Sequence, residues 1–190
     1  MKKAATIFAA LFALSCGQNK QPERETETTI QDTVVQHKAP VNTISEPQDA
    51  IAAIRQKVEH INTALLEKKH FEFTCDEKMT VDYFYEDGKI VKISVDFGTV
   101  GDVYAKEDYY YHDGKFIFMY EFVEGGPACE GCIKTNEYRN YIKDNKSIKY
   151  LKDQKEDTCR TCEFSTASRQ YRLLKANTQP QIRSILCPGL

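Results

Sequence analysis

The chain has 190 residues, with 26 Lys and Arg against 28 Asp and Glu, a formal charge of −2. A balance so near neutrality gives no basic footprint for nucleic acid, and the length suits one folded domain with some chain outside it. The seven cysteines, 11 tyrosines and 10 phenylalanines make thiol chemistry and aromatic packing the two features to follow.

In chain order, Lys2 and Lys3 come first, followed by the apolar run Ala4 to Leu14. A basic start and an apolar stretch of this length form a secretory signal, whereas a membrane-spanning helix needs about 20 apolar residues. The run ends in Ala13-Leu14-Ser15-Cys16. This resembles the lipobox of bacterial lipoproteins, with Ala13 where that family usually has leucine. The resemblance implies removal of residues 1–15 and acylation of Cys16, which supplies more than the two signals that lasting membrane attachment requires. Gly17 in place of Asp after the cysteine implies, by the same resemblance, the outer membrane. No later segment approaches the length of a membrane span. Removing Lys2 and Lys3 with the leader leaves 24 basic against 28 acidic residues.

Beyond Cys16, residues 17–46 read as a flexible tether: Gln, Glu, Thr, Asn, Lys and Arg dominate, and large apolar groups are too sparse for a core. A coil of this length reaches roughly 30 Å. Residues 47–190 form a single domain. It opens with a helix for which Ser45 and Gln48 have capping-box spacing and Pro47 sits in the first turn. Ile51, Ile54, Val58, Ile61 and Leu65 recur at helical spacing as one apolar stripe, with Arg55, Lys57 and Glu59 on the other side.

The period then changes to two. Asp82-Tyr83-Phe84-Tyr85-Glu86-Asp87-Gly88-Lys89-Ile90 is echoed by Asp108-Tyr109-Tyr110-Tyr111-His112-Asp113-Gly114-Lys115-Phe116, and more loosely by residues 139–147. Asp-Gly between aromatic and β-branched runs marks a tight hairpin turn. Three such turns predict an antiparallel meander of about six strands, at 79–85, 89–97, 103–111, 115–123, 133–142 and 147–152. A second, short helix is expected from Ser165 to Ala176, ended by Asn177 and Pro180. The fold class is α+β, with the N-terminal helix packed on the meander and the short helix at the C-terminus. In the middle hairpin, a two-residue loop pairs Tyr111 with Phe116 and Tyr109 with Phe118. With Tyr120 and Phe122 these make an aromatic band on one face, either core beneath the helix or a groove for an apolar ligand or peptide.

Six cysteines remain in the domain: Cys75, Cys129, Cys132, Cys159, Cys162 and Cys187. An even number in an exported chain suggests a disulfide framework. With the third turn centred between Asn145 and Lys146, the two Cys-x-x-Cys units face each other across one hairpin. Cross-links Cys132–Cys159 and Cys129–Cys162, a tetrahedral zinc held by all four thiolates, or a redox-active Cys-x-x-Cys would each use these residues. Export favours disulfides, with zinc as the alternative; neither unit opens a helix in the manner of redox motifs. Cys75 and Cys187 are left to pair with each other.

His37, His60, His70 and His112 lack metal-ligand spacing, no nucleophile or phosphate-binding motif is present, and Asp82, Asp96 and Asp108 form no marked acid–base pair. No catalytic residue and no cofactor is assigned. From about Ile54 to Lys152 the chain resembles a group of uncharacterised lipoproteins of Gram-negative bacteria. These share an Ile/Asn-containing helix followed by a Tyr-Tyr-x-Asp-Gly-Lys meander, carried here by Ile54 to Asn62, Tyr83 to Ile93 and Glu107 to Phe118. The resemblance brings no catalytic residues. The expectation is a membrane-anchored, non-catalytic binding or structural domain of the cell envelope, taking an envelope protein, a glycan or an apolar ligand. The alternative is a zinc- or thiol-dependent protein working through the Cys-x-x-Cys units.

Overall fold

A computed structural model describes residues 46–187 apart from 128. The leader, Cys16, the tether, His37 and the Ser45 cap lie outside the described residues. In chain order the elements are α1 (Glu46–Thr63), β1 (Glu67–Thr74), β2 (Lys78–Glu86), β3 (Lys89–Val100), β4 (Val103–His112), β5 (Lys115–Gly125), β6 (Lys134–Lys143), β7 (Lys146–Lys152), β8 (Lys155–Glu156), α2 (Arg169–Lys175) and α3 (Gln179–Leu186). The strands form one antiparallel sheet in sequence order from β1 to β8. The α+β meander is therefore present, with eight strands rather than six and three helices rather than two among the described residues. Here no helix is long and apolar enough to cross a membrane.

Each difference has a local cause. β1 is an edge strand, Glu-Lys-Lys-His-Phe-Glu-Phe-Thr, of which only Phe73 is fully buried. Charge of this kind blunts an exposed edge and hides the period-two signal. β8 is a two-residue return after Asp153-Gln154. Pro180 does not end a helix but begins one: Thr178 is the N-cap of α3 and the proline occupies its first turn. The apolar stripe of α1 ends at Ile61, because the helix stops at Thr63 and Leu65 is fully exposed.

The repeated phrase builds a repeated device. Asp113 and Gly114 take φ of +47° and +73°, and the same left-handed pair recurs at Asp87-Gly88, Asp144-Asn145 and Asp153-Gln154. Two successive left-handed residues match the twist of the flanking strands. In three hairpins the ladder then slips by one residue. Tyr85 faces Ile90 but Phe84 faces Lys92; Tyr111 faces Phe116 but Tyr110 faces Phe118; Ile142 faces Ser147 but Tyr141 faces Lys149. Val91, Ile117 and Ile148 are the extra residues, and all three pack toward α1.

These bulges divide the apolar side chains between two cores. On one face, α2 and α3 cover Val81, Tyr83, Ile93, Val95, Tyr109, Tyr111, Phe116 and Ile142. On the other, Ile54 and Ile61 of α1 cover Val91, Tyr110, Phe118, Tyr141 and Leu151. The first core is closed by Cys75 and Cys187, at disulfide distance with Cα atoms 5.7 Å apart and a sequence separation of 112. By chain entropy such a cross-link is worth about 4–5 kcal/mol.

The Gly114→Ala variant isolates the cost of the turn, since a Cβ there would meet nothing within 4 Å. It is expected to lower stability by about 1 kcal/mol through the left-handed backbone alone, read as a shifted urea midpoint with unchanged slope.

Candidate functional site

Two ranks of side chains cross the sheet on the α1 face. Lys92, Tyr110, Phe118 and Tyr141 are successive register partners across β3 to β6, and Ser94, Asp108, Tyr120 and Arg139 form the next rank. α1 lies over the first rank, and its Arg55, Val58, Glu59, Asn62 and Thr63 form the wall of a cleft of about 520 Å³ floored by both.

The floor is laced together by polar groups. Lys92 Nζ lies 2.9 Å from Asp108 Oδ2, with little of either side chain exposed. Ser94 donates its hydroxyl to Asp108 Oδ1 at 2.6 Å. Lys92 Nζ also stands 4.9 Å from the Tyr110 ring centroid, and the Tyr110 hydroxyl donates to Asn62 Oδ1 at 2.9 Å. Burial opposes the Lys92 ammonium, but Asp108 and then Tyr110 outweigh it and hold its pKa above the usual lysine value. Burial, reinforced by the hydrogen bond to Glu137, pushes the Tyr120 hydroxyl up to about 12. It is therefore a neutral donor at any ordinary pH, donating to Glu137 Oε1 at 3.0 Å.

Two arginines complete the lining of the cleft. Arg139 uses Nη2 on Glu137 Oε2 at 2.6 Å and stacks 5.4 Å from the Tyr120 centroid. Its Nη1 is buried without a hydrogen-bond partner, an arrangement that ordinarily costs about 1–3 kcal/mol. Arg55 donates from Nε to the Tyr141 hydroxyl at 3.3 Å and lies 5.5 Å from that ring's centroid. The cleft thus combines aromatic surface with the side chains of Arg55 and Arg139 in its lining.

The opposite face carries a second polar set. Arg169 Nη2 reaches both Glu107 oxygens, at 2.7 and 2.6 Å, and the Tyr109 hydroxyl donates to Glu107. Arg160 pairs with Glu121, donates from Nε to the Tyr150 hydroxyl at 2.8 Å and lies 3.9 Å from the Tyr138 centroid. Glu107, Glu121, Tyr150, Arg160 and Arg169 line a cavity of about 230 Å³ together with Thr161. Burial raises the Glu121 carboxyl above its ordinary value, with Arg160 opposing the shift.

The six aromatic residues expected to share one face do not. Tyr109, Tyr111 and Phe116 belong to the core beneath α2, whereas Phe118 and Tyr120 pack toward α1. Tyr109 pairs with Met119, not Phe118, because Ile117 is inserted into the ladder. Tyr120 stays half-buried in the cleft, and Phe122 is half-buried and edge-on to Tyr104.

The cysteine geometry also differs from the cross-hairpin expectation. Cys129 is at disulfide distance from Cys132, and Cys159 from Cys162, with Cα separations of 5.3 and 5.4 Å. The third turn is Asp144-Asn145, one residue earlier than the sequence spacing suggests, and a fourth turn at Asp153-Gln154 reverses the chain before Cys159. Cys162 consequently lies beside Ser147, which faces Ile142, while Cys132 precedes the far end of β6. Ten residues of extended chain separate those levels by about 30 Å, so the two units do not converge on one metal. Among the described residues no three His, Cys, Asp or Glu side chains cluster as metal ligands. His60 and His70 pair separately with Glu86 and Asp82.

Arg55, Lys92 and Arg139 were not singled out by sequence. The available signal was Lys92, a charge at a strand position between Val91 and Ile93, which asks for a buried partner such as Asp108. Comparison with protein-family models, curated protein sequences and solved structures returns no match. The molecule is defined at the level of its architecture, an antiparallel meander with α1 on one face and α2 and α3 on the other.

A carboxyl with a raised folded-state pKa favours folding while protonated. Glu121 therefore contributes fully below about pH 4.5, and the contribution is lost as pH rises through its raised value. The Glu121→Gln variant cannot ionise, so the fall in stability between about pH 4 and pH 7 in urea denaturation should be smaller than in the wild type.

Proposed function

We propose that this chain is an exported lipoprotein of the cell envelope, anchored through acylated Cys16, whose folded domain binds a ligand non-catalytically in the cleft beneath α1. The observation that carries this reading is the pairing of an aromatic floor with cationic side chains: Tyr110, Tyr120 and Tyr141 beside Arg55 and Arg139. A void lined by apolar rings and a few directed polar groups is the usual form of a small-molecule site. Of the envelope components expected from sequence, a glycan suits it best. The C–H face of a sugar ring covers an aromatic side chain, and its oxygens, a carboxylate above all, accept from guanidinium groups. The lipobox-like Ala13-Leu14-Ser15-Cys16 supports the address, and the near-neutral charge agrees with a ligand recognised by geometry rather than by a broad electrostatic field.

The test uses mature full-length protein in detergent micelles, titrated with oligosaccharides of hexuronic acid and, separately, of neutral hexose, observed by NMR. The acidic probe should perturb the Arg55, Tyr120 and Arg139 resonances, and Arg139→Ala should weaken binding by about tenfold or more, the usual loss for a hydrogen bond to a charged group. Binding unaffected by Arg139→Ala, or no perturbation in the cleft by either sugar, would remove the glycan reading. Fatty-acid labelling in cells should disappear in Cys16→Ala; retained labelling would refute the anchor.

A further inference from the structure

The Cys159–Cys162 pair differs from Cys75–Cys187 in loop length, and from Cys129–Cys132 in what holds its backbone and in the residue that follows its first cysteine. Its cysteines are three positions apart, against a separation of 112 for Cys75–Cys187. By chain entropy so short a cross-link adds far less to the stability of the fold than the long one, so opening it costs the fold less. The surrounding backbone is fixed without it. Ser147 N–H donates to the Cys162 carbonyl and Phe164 N–H to the Asn145 carbonyl, each at 2.8 Å, and Asn140 Nδ2 donates to the Thr161 carbonyl at 3.1 Å. Arg160, between the two cysteines, is held by Glu121, the Tyr150 hydroxyl and the Tyr138 ring. Opening the S–S bond would therefore leave the loop seated on the sheet.

Cys129–Cys132 supplies the contrast. It closes a turn in which Cys132 N–H donates to the Cys129 carbonyl at 3.1 Å, and Gly131 takes φ +74°. The residue that follows its first cysteine is Glu130, where the other loop has Arg160. A thiolate is stabilised by a neighbouring cation and disfavoured by a neighbouring carboxylate. Both loops expose a cysteine, Cys129 in one and Cys162 in the other, so access does not separate them. The adjoining residue, Glu130 in one and Arg160 in the other, does.

We propose that Cys159 and Cys162 form a thiol–disulfide exchange centre whose substrate is an exported dithiol. This is independent of ligand binding in the cleft on the opposite face. A thiolate of the dithiol attacks Sγ of Cys162, the more exposed cysteine; the Cys159–Cys162 bond breaks, and its electron pair leaves on Cys159 Sγ. Arg160 favours that departing thiolate, which then takes a proton from water. The substrate's second thiol loses its proton to water and attacks the substrate sulfur of the mixed disulfide, releasing Cys162 as a thiolate that is protonated in turn. The substrate becomes a disulfide, and two electrons and two protons reside on Cys159 and Cys162. The reverse sequence reoxidises the pair.

The experiment exposes mature full-length protein in detergent to dithiothreitol as the dithiol, quenches with acid at intervals, alkylates, and maps each cysteine by peptide mass while circular dichroism follows the fold. Cys159–Cys162 should open at least about tenfold faster than Cys129–Cys132, with the dichroism unchanged. It should close again in oxidised dithiothreitol while Cys75–Cys187 stays intact throughout. Arg160→Gln should slow opening severalfold, and Arg160→Lys should restore most of the rate. Opening no faster than that of Cys129–Cys132, or only with loss of the dichroism signal, would overturn the proposal. That comparison is made within the wild-type protein and stands even if Arg160→Gln fails to fold.

Discussion

The extra residue inserted shortly after three of the tight turns governs how this sheet is used. In an unbroken strand alternate side chains face one side, so Phe116 and Phe118 would lie together. Ile117 breaks that alternation: Phe116 goes beneath α2, while Ile117 and Phe118 both go toward α1. Val91 and Ile148 act in the same way in the neighbouring hairpins. A bulge costs a ladder hydrogen bond locally, but here each contributes an apolar side chain to the α1 core. One meander can thereby be buried on both faces near its turns.

The division of faces explains where the polar chemistry lies. Away from the turns the helices no longer cover the sheet fully, and strand positions that would be core become mixed. On the α1 face these are Lys92, Asp108, Tyr120 and Arg139, gathered into the cleft. On the other face they are Glu107 and Glu121, each met by an arginine from the segment following β8. A charge taken from water needs a partner with good geometry. The Arg169–Glu107 pair, in which one guanidinium nitrogen reaches both carboxylate oxygens, and the close Lys92–Asp108 pair meet that need, whereas Arg139 meets it only in part. The C-terminal segment that supplies Arg160 and Arg169 is tied to the start of the sheet through Cys187 and Cys75.

The turns, the antiparallel order and α1 were legible because each rests on local chemistry: paired left-handed residues, alternation, and a helical apolar stripe. The pairing of Cys75 with Cys187 was likewise reached by counting. What sequence could not supply was register. A single inserted residue leaves no compositional mark, since Ile117 between two phenylalanines reads as an ordinary strand position. One slip of this kind scattered the expected aromatic band over both faces. A slip at the third turn, together with the unread turn at Asp153-Gln154, brought the Cys-x-x-Cys units together on paper when they lie far apart along β6. The cations of the cleft were missed for a related reason: Arg55, Lys92 and Arg139 come from α1, β3 and β6, and only register brings them to one place.

The two-core fold depends on Phe116 and Phe118 lying on opposite faces. Nuclear Overhauser contacts from their rings, in protein with selectively labelled aromatic residues, test it most directly. Phe116 should contact Phe164 and Tyr171, and Phe118 should contact Tyr110 and Tyr141, with no ring on α2 or after β8 shared between them. If both rings instead showed contacts to Tyr171, the bulge at Ile117 would be absent, and the two-core description and the cleft built on it would be wrong.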